Sequence, residues 1–434
     1  MKLAFVSQPY DRLFPPTQNS IGLITYYSAL ELARKFDVTI YGKHYRDDRL
    51  PPALPVSVTR LPVNRDRLVQ KFVRSFPRAT GRLGIARKLD DHTQYRREVG
   101  RRIAGDRPDI VHVMNYWQWC RELKAPGSSH RLVLEMQCEW LSQHDRRAVG
   151  RQLEVVDAVV AVSDHIARTF LGAFPNFSGE VTTVGNGVDV DHFKPAPERG
   201  QVEGRRKRIL FVGRISPEKG VHTLLEAFGE LADRIDNVEL VIAGPQSPLP
   251  RDFLTSLSSD RQVWDLLRFY DRDGTCIYGG HLEEAIARYG LQDRVRFLGN
   301  VSHQELLSVY HSADLVVNPS LSESFGISVV EGMACGIPVV GTRVGGMCET
   351  IVSGRTGLLV EPEAPRHLAA ALAAIIDDPI GAKRMGAEGR ERAIKTYSWK
   401  ARAERLAAVY RSLAEVRPGV QAAAPEFRAG AGAS

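Results

Sequence analysis

The stretch that most constrains this chain is Asp314–Thr342, DLVVNPSLSESFGISVVEGMACGIPVVGT. Its short, β-branched apolar runs predict a strand (Leu315–Pro319), a polar loop (Ser320–Ser324), a helix (about Ile327–Cys335) and a second strand (Ile337–Gly341). Gly336 falls where a helix C-terminus wants positive φ. Two carboxylates bracket the turn, Glu323 on the loop and Glu331 inside the helix. Between them Ser324, Phe325 and Gly326 present backbone N–H groups at a helix N-terminus, which favours an anion. A site of this shape suits a phosphorylated sugar, with carboxylates on hydroxyls and amides on phosphate. A plain βαβ unit carrying two solvated glutamates would read the same way.

Context separates the two. Glu323-Ser-Phe-Gly326, the second glutamate at 331 and the following Gly332-Met-Ala-Cys-Gly-Ile-Pro-Val-Val340 resemble the donor-site signature of retaining glycosyltransferases of family 4. Two glutamates alone would be weak; the whole string from Asn318 to Val340 is specific.

At 434 residues the chain is long enough for two or three domains with full cores. With 43% hydrophobic and 25% charged residues it reads as globular, not disordered or fibrous. No apolar run has the length of a membrane span, and Met1-Lys-Leu-Ala leads straight into a strand, so neither signal peptide nor anchor is expected. Five scattered cysteines, none in a C-x-x-C pair, fit reduced thiols and a cytoplasmic location. The net charge of +7 is concentrated: residues 60–107 hold 14 Lys/Arg against 5 Asp/Glu. Within them Leu68, Phe72, Val73 and Phe76 share one helical face beside Lys71 and Arg74. That pattern fits an interfacial helix on anionic lipid, at the inner face of the membrane, or a basic surface whose apolar side packs on its own domain. No nucleic-acid module accompanies the charge, so nucleic acid is not expected as a partner.

Read in order, the chain opens with a strand at Lys2–Ser7, a loop at Gln8–Ser20 and a helix at about Ile21–Phe36. Gly22 there would allow close backbone approach to a diphosphate. Family members usually carry Gly-Gly at this turn, where this chain has Ser20-Ile21-Gly22. Further strands are expected at Val38–Tyr41, Asp109–Val113, Arg131–Met136 and Asp157–Val162. The resemblance puts a sugar-contacting histidine after the Arg131–Met136 strand, but Gln137 stands there. An amide can bond a hydroxyl yet cannot shuttle a proton. His112, at the end of the preceding strand, is the substitute sugar contact, or else a satisfied strand-end residue. Asn186-Gly-Val-Asp189 matches the family's cleft-bordering junction. Asp189-Val-Asp191 and Asp271-Arg-Asp273 formally match D-x-D but lack flanking metal ligands, so no metal site is assigned.

The Pro/Gly-rich basic stretch 194–208 reads as a linker. After it a second wound unit begins at Ile209–Gly213. Gly213-Arg214-(four residues)-Lys219-Gly220 sets two cations before a helix N-terminus, a diphosphate clamp. The resemblance assigns that role to Arg214 and Lys219, and backbone contact with the nucleobase to the loop at Asn300-Val301. Residues 245–280 read as a polar insertion, three helices close the fold, and 416–434 read as a disordered tail.

The expected architecture is therefore α/β: two Rossmann-like parallel-sheet domains, 1–193 and 209–398, facing across a cleft, the GT-B fold. The last helix, 399–415, is expected to pack back on the first domain. The implied activity is retaining transfer of a sugar from a nucleotide-sugar to a hydroxyl of a saccharide or lipid-linked acceptor, in polysaccharide, glycolipid or other glycoconjugate synthesis. Arg214, Lys219 and Glu323 are the catalytic candidates. Donor-binding candidates are Gly22, Asn186, Gly213, Asn300, Val301, Ser324, Phe325, Gly326 and Glu331, and no cofactor is expected. A GT-B-like epimerase would use the same cleft without an acceptor, and a binding-only descendant would turn nothing over. A dinucleotide dehydrogenase is disfavoured because no G-x-G-x-x-G follows the first strand.

Overall fold

The computed structural model describes residues 1–14, 19–43, 45, 53–61, 63, 65–66, 68, 71, 92–197, 204–254 and 261–415. Two all-parallel sheets organise them. The first holds seven strands in the order β3-β2-β1-β4-β5-β6-β7: Lys2–Val6 (β1), Asp37–Lys43 (β2), Ser57–Leu61 (β3), Ile110–Met114 (β4), Arg131–Met136 (β5), Ala158–Ala161 (β6) and Glu180–Thr183 (β7). The second holds six in the order β10-β9-β8-β11-β12-β13: Lys207–Val212 (β8), Val238–Ala243 (β9), Val295–Gly299 (β10), Leu315–Asn318 (β11), Val339–Thr342 (β12) and Leu358–Val360 (β13). β4, β6, β11 and β12 are buried at every position, as strands covered by helices on both faces must be. β3 is an edge strand with one buried residue, and this thin apolar content hides it in the sequence.

In each sheet the strand order reverses once, between β1 and β4 and between β8 and β11. Loops at the carboxyl ends of strands diverge there and leave a crevice for ligands. β8 begins at Lys207, so the end of the expected linker is strand: Arg208 pairs with Glu239 at 2.6 Å and Arg205 with Asp314 at 2.6 Å.

Helix Trp399–Glu415 lies on the first sheet's layer. Trp399 stacks on Tyr27 of helix Ser20–Leu32 at 5.3 Å, while Leu406, Ala407, Tyr410 and Leu413 are buried with Phe5, Ile24 and Ile110. Between the domains, Val188 N donates to Tyr397 O at 2.6 Å, and Arg390 of helix Pro379–Tyr397 donates to Phe193 O at 3.1 Å. All five cysteines are free. No helix among the described residues is long and apolar enough to cross a membrane. The amphipathic stretch Leu68–Phe76 falls largely outside the described residues. The neighbouring helix Thr93–Asp106 spends part of its positive charge on ion pairs, Arg96 with Glu122 at 2.5 Å and Arg102 with Glu98 at 3.0 Å.

Candidate active site

The second sheet's reversal point is where the charged groups meet. After β8 the chain runs through Arg214 and a single turn, Pro217–Lys219, to Gly220, which adopts φ +69° and opens helix Val221–Ala232. A Cβ on Gly220 would sit 2.0 Å from the Pro319 carbonyl oxygen, so this loop and the one after β11 pack backbone to backbone. That contact sets Lys219 Nζ 2.7 Å from Glu323 Oε2, while Asn318 Nδ2 lies 3.4 Å from the same oxygen. Burial alone would raise the Glu323 pKa. The Lys219 charge, with hydrogen bonds from Lys219, Asn318 and the Phe325 amide, outweighs it and holds the carboxyl below the usual range. Arg214 is anchored differently: its Nη2 donates to Glu218 Oε1 at 3.0 Å, and the buried Glu218 also accepts from Ser216 Oγ.

Gly326 caps helix Ile327–Ala334 at φ +90° with no side chain to fill the first amides, so the helix N-terminus stays open to a ligand. The turn after β12 presses on this loop from behind. A Cβ on Gly345 or Gly346 would lie 2.1 Å from the carbonyl oxygen of Glu323 or Ser324 respectively, and Gly346 N donates to Glu323 O at 3.0 Å. Glu331 is buried one turn in, where Tyr310 OH donates to its Oε2 at 2.7 Å. Burial pushes its carboxyl up to about 7. Tyr310 was not singled out from sequence, since a tyrosine on the half-apolar helix His303–His311 carries no signal of its partner.

In the first domain two candidates lie in the interior. His112 is 1% exposed: its Nδ1 faces Tyr410 OH at 2.8 Å and its Nε2 lies 3.0 Å from Glu135 Oε2. It is a core residue, the satisfied strand-end alternative. Gly22 is also buried, with its amide donating to Asn19 Oδ1 at 2.9 Å. The close approach its missing Cβ permits is to the Arg12 carbonyl, which a Cβ would meet at 1.9 Å. Gln137 is half-buried and held on both sides, donating to Glu135 and accepting from Asn186 Nδ2 at 2.8 Å. Gln137 and Asn186 are thus brought together.

A cross-domain contact was also invisible in the sequence. Glu349, after the Gly345-Gly346 turn, accepts from the amides of Asp164 (2.7 Å) and His165 (2.8 Å), capping helix Asp164–Ala173 of the first domain. Burial raises the Glu349 carboxyl above its ordinary value.

Two sequence profiles match this chain. The profile described as Glycosyl transferases group 1 matches residues 194–392, and that described as Glycosyltransferase Family 4 matches 22–192. The chain belongs to glycosyltransferase family 4 and has the GT-B fold. It is 33% identical over 284 residues to the D-inositol 3-phosphate glycosyltransferase 2 of Catenulispora acidiphila, covering 62% of this chain and 60% of that protein. The match thus spans about 60% of that relative's length. In fold the glycosyltransferase is similar to the sucrose-phosphate synthase of Thermosynechococcus elongatus, with TM-score 0.68, 21% identity and coverage of 95% of this chain and 99% of that one. It is also similar to Anabaena HepE, solved in complex with UDP-glucose, with TM-score 0.63, 18% identity and coverage of 95% and 100%.

Gly213 follows β8 directly, its N–H donating to Ala243 O at 2.9 Å, and a Cβ on Gly244 would lie 1.9 Å from its carbonyl oxygen. Asn300 is exposed and Val301 half-buried on the loop after β10. The two D-x-D matches are turn-makers: Asp189 Oδ1 accepts from the amides of Asp191 and His192, and Asp271 Oδ1 from those of Asp273 and Thr275.

Proposed function

We propose that this glycosyltransferase transfers a sugar from a nucleotide-sugar to an acceptor hydroxyl with retention of anomeric configuration. The observation that carries the reading is the Lys219–Glu323 pair, 2.7 Å apart at the sheet's reversal point beside the open N-terminus of helix Ile327–Ala334. Each half of the pair can exchange its partner for a piece of donor. Lys219 and Arg214 turn to the diphosphate, Glu323 takes sugar hydroxyls, and Glu331 takes the ribose. As the glycosidic bond breaks, charge grows on the leaving diphosphate, and cations already fixed in place stabilise it most at the transition state. The leaving phosphate takes the acceptor's proton on the same face. Neither Gln137 nor a metal is then asked to act.

Support for a uridine donor comes from HepE, solved with UDP-glucose. Support for a saccharide or polyol acceptor comes from the name of the D-inositol 3-phosphate glycosyltransferase. A lipid-linked acceptor, in polysaccharide or glycolipid synthesis, goes with the basic segment 60–107, and sedimentation with anionic and neutral vesicles tests it. Equal, poor binding to both kinds of vesicle removes that acceptor class. Retention is tested by proton NMR of freshly formed product from an α-linked donor. An α-linked product supports the mechanism, and a β-linked one overturns it.

A further inference from the structure

A cavity of about 600 Å³ opens between the two domains beside Phe325. Its walls include Thr183 and Gly185 of the first domain and Phe325, Glu349 and Ser353 of the second. Arg392, Lys395 and Arg405 line it from the two crossing helices. None of Arg214, Lys219, Glu323 or Glu331 reaches it. Phe325 divides the two sites. Its amide faces Glu323, while its ring lines the cavity and meets Tyr397 edge-on at 5.4 Å.

The cavity's charges are not all neutralised from within. Arg343 pairs with Glu361 (2.9 Å) and Arg355 with Glu388 (2.6 Å). Arg405 is half-buried and makes neither hydrogen bond nor ion pair with any described residue. Beside it, Arg392 donates to the carbonyls of Thr350 (3.1 Å) and Glu349 (2.7 Å). Burial makes the Arg405 charge harder to hold; Tyr397 opposes this, and the neighbouring guanidiniums of Arg392 and Arg402 add to it, leaving the net shift downward. A half-buried guanidinium beside another cation, without a carboxylate, is costly unless an anion completes it. A bare anion would leave most of the space unfilled. Hydroxyls of Thr183 and Ser353 and the exposed carboxylate of Glu391 offer partners for a hydroxylated body. The volume lies within the range of about 300–1,000 Å³ typical of small-molecule sites.

We infer that this cavity binds a small phosphorylated polyol as an effector, separate from the donor, with its phosphate on Arg392, Lys395 and Arg405. Because both domains supply its walls, occupancy favours the domain arrangement seen here. Because Phe325 lies between the sites, occupancy also steadies the loop that carries the donor-site amides. Thr350 Oγ1 donates to Phe325 O at 2.9 Å and the Thr350 carbonyl is held by Arg392, so the link is continuous.

The test uses the full chain in the Lys219→Ala background, which disables the donor clamp, and titrates glycerol 3-phosphate and inorganic phosphate by calorimetry up to about 10 mM ligand. Glycerol 3-phosphate should bind one site, more tightly than phosphate, and slow hydrogen exchange at Ser324–Ser328. Arg405→Gln and Lys395→Glu, each in that background, should weaken binding about tenfold or more. Lys395 is exposed, so its variant carries the test if Arg405→Gln does not fold. Binding that is lost in Lys219→Ala but present in wild type belongs to the donor clamp and overturns the inference. So does undiminished binding in the charge variants, or no binding at all. Equal affinity for both ligands overturns the polyol specificity.

Discussion

Arg402 sits on the apolar face of the last helix with its side chain wholly buried, reaching back to the first sheet. Both Glu135 oxygens accept from Nη2 at 2.7 Å. Val184 O (3.1 Å), Gly185 O (3.2 Å) and Ser28 Oγ (2.8 Å) take the other bonds. Arg402→Met leaves Glu135 a buried carboxylate without its counter-charge, and breaking such a pair costs about 3–5 kcal/mol. A second route gives a similar figure. Burial pushes the Glu135 carboxyl up, but Arg402 and then His112 pull it down further, to about 2. Against the ordinary 4.5 that is about 3 kcal/mol. Because the pKa is lowered on folding, this stability is present above the ordinary carboxyl range and is lost as pH falls toward 2. The assay is urea unfolding of the first domain, followed by fluorescence of Trp117, Trp119 and Trp140. Arg402→Met and Glu135→Leu should each lose about 4 kcal/mol, and the double variant clearly less than their sum, since an apolar pair removes the stranded charge. A loss below about 1 kcal/mol for Arg402→Met would refute the reasoning.

Three further outcomes follow from the geometry. Gly220→Ala, at φ +69° with Pro319 O 2.0 Å from the new Cβ, should cost about 2–3 kcal/mol and weaken donor binding by displacing Lys219, read by denaturation and calorimetry. Glu331, raised to about 7, favours its protonated form in the fold, so its contribution to stability is present at low pH and lost as pH rises through 7. Ribose hydroxyls favour the carboxylate, so nucleotide affinity should rise about tenfold from pH 6 to pH 8 and become flat in Glu331→Gln; a flat wild-type profile contradicts the ribose role. Glu349→Ala removes the cap shared by Asp164 and His165, costing about 1 kcal/mol and speeding exchange at those amides; unchanged exchange argues against a latch between the domains.

What the sequence disclosed was local. The β11–helix–β12 unit is written in adjacent residues, so its strands, the open N-terminus at Gly326 and the positive φ of Gly336 could be read directly. The loop positions of Arg214, Lys219 and Glu323 and the helical position of Glu331 were legible because turn chemistry marks the elements around them. What stayed hidden depends on residues far apart in the chain. Glu349 caps a helix 185 residues away, and Arg402 meets Glu135 across 267. His112 misled for the same reason: a strand-end histidine looks free until Tyr410, 298 residues later, packs on it. At Gly22 the missing Cβ makes room for the Arg12 carbonyl, a neighbour that the local sequence does not mark.

The measurement that bears most directly on the glycosyltransferase site is nucleotide release from UDP-, GDP- and ADP-sugars by wild type, Glu323→Gln and Lys219→Ala. Wild type should hydrolyse one donor slowly, and release should fall about a hundredfold or more in both variants because each loses a contact made at the transition state. Equal release by wild type and variants, or no binding of any donor, would contradict the assignment of Lys219 and Glu323 as the donor clamp.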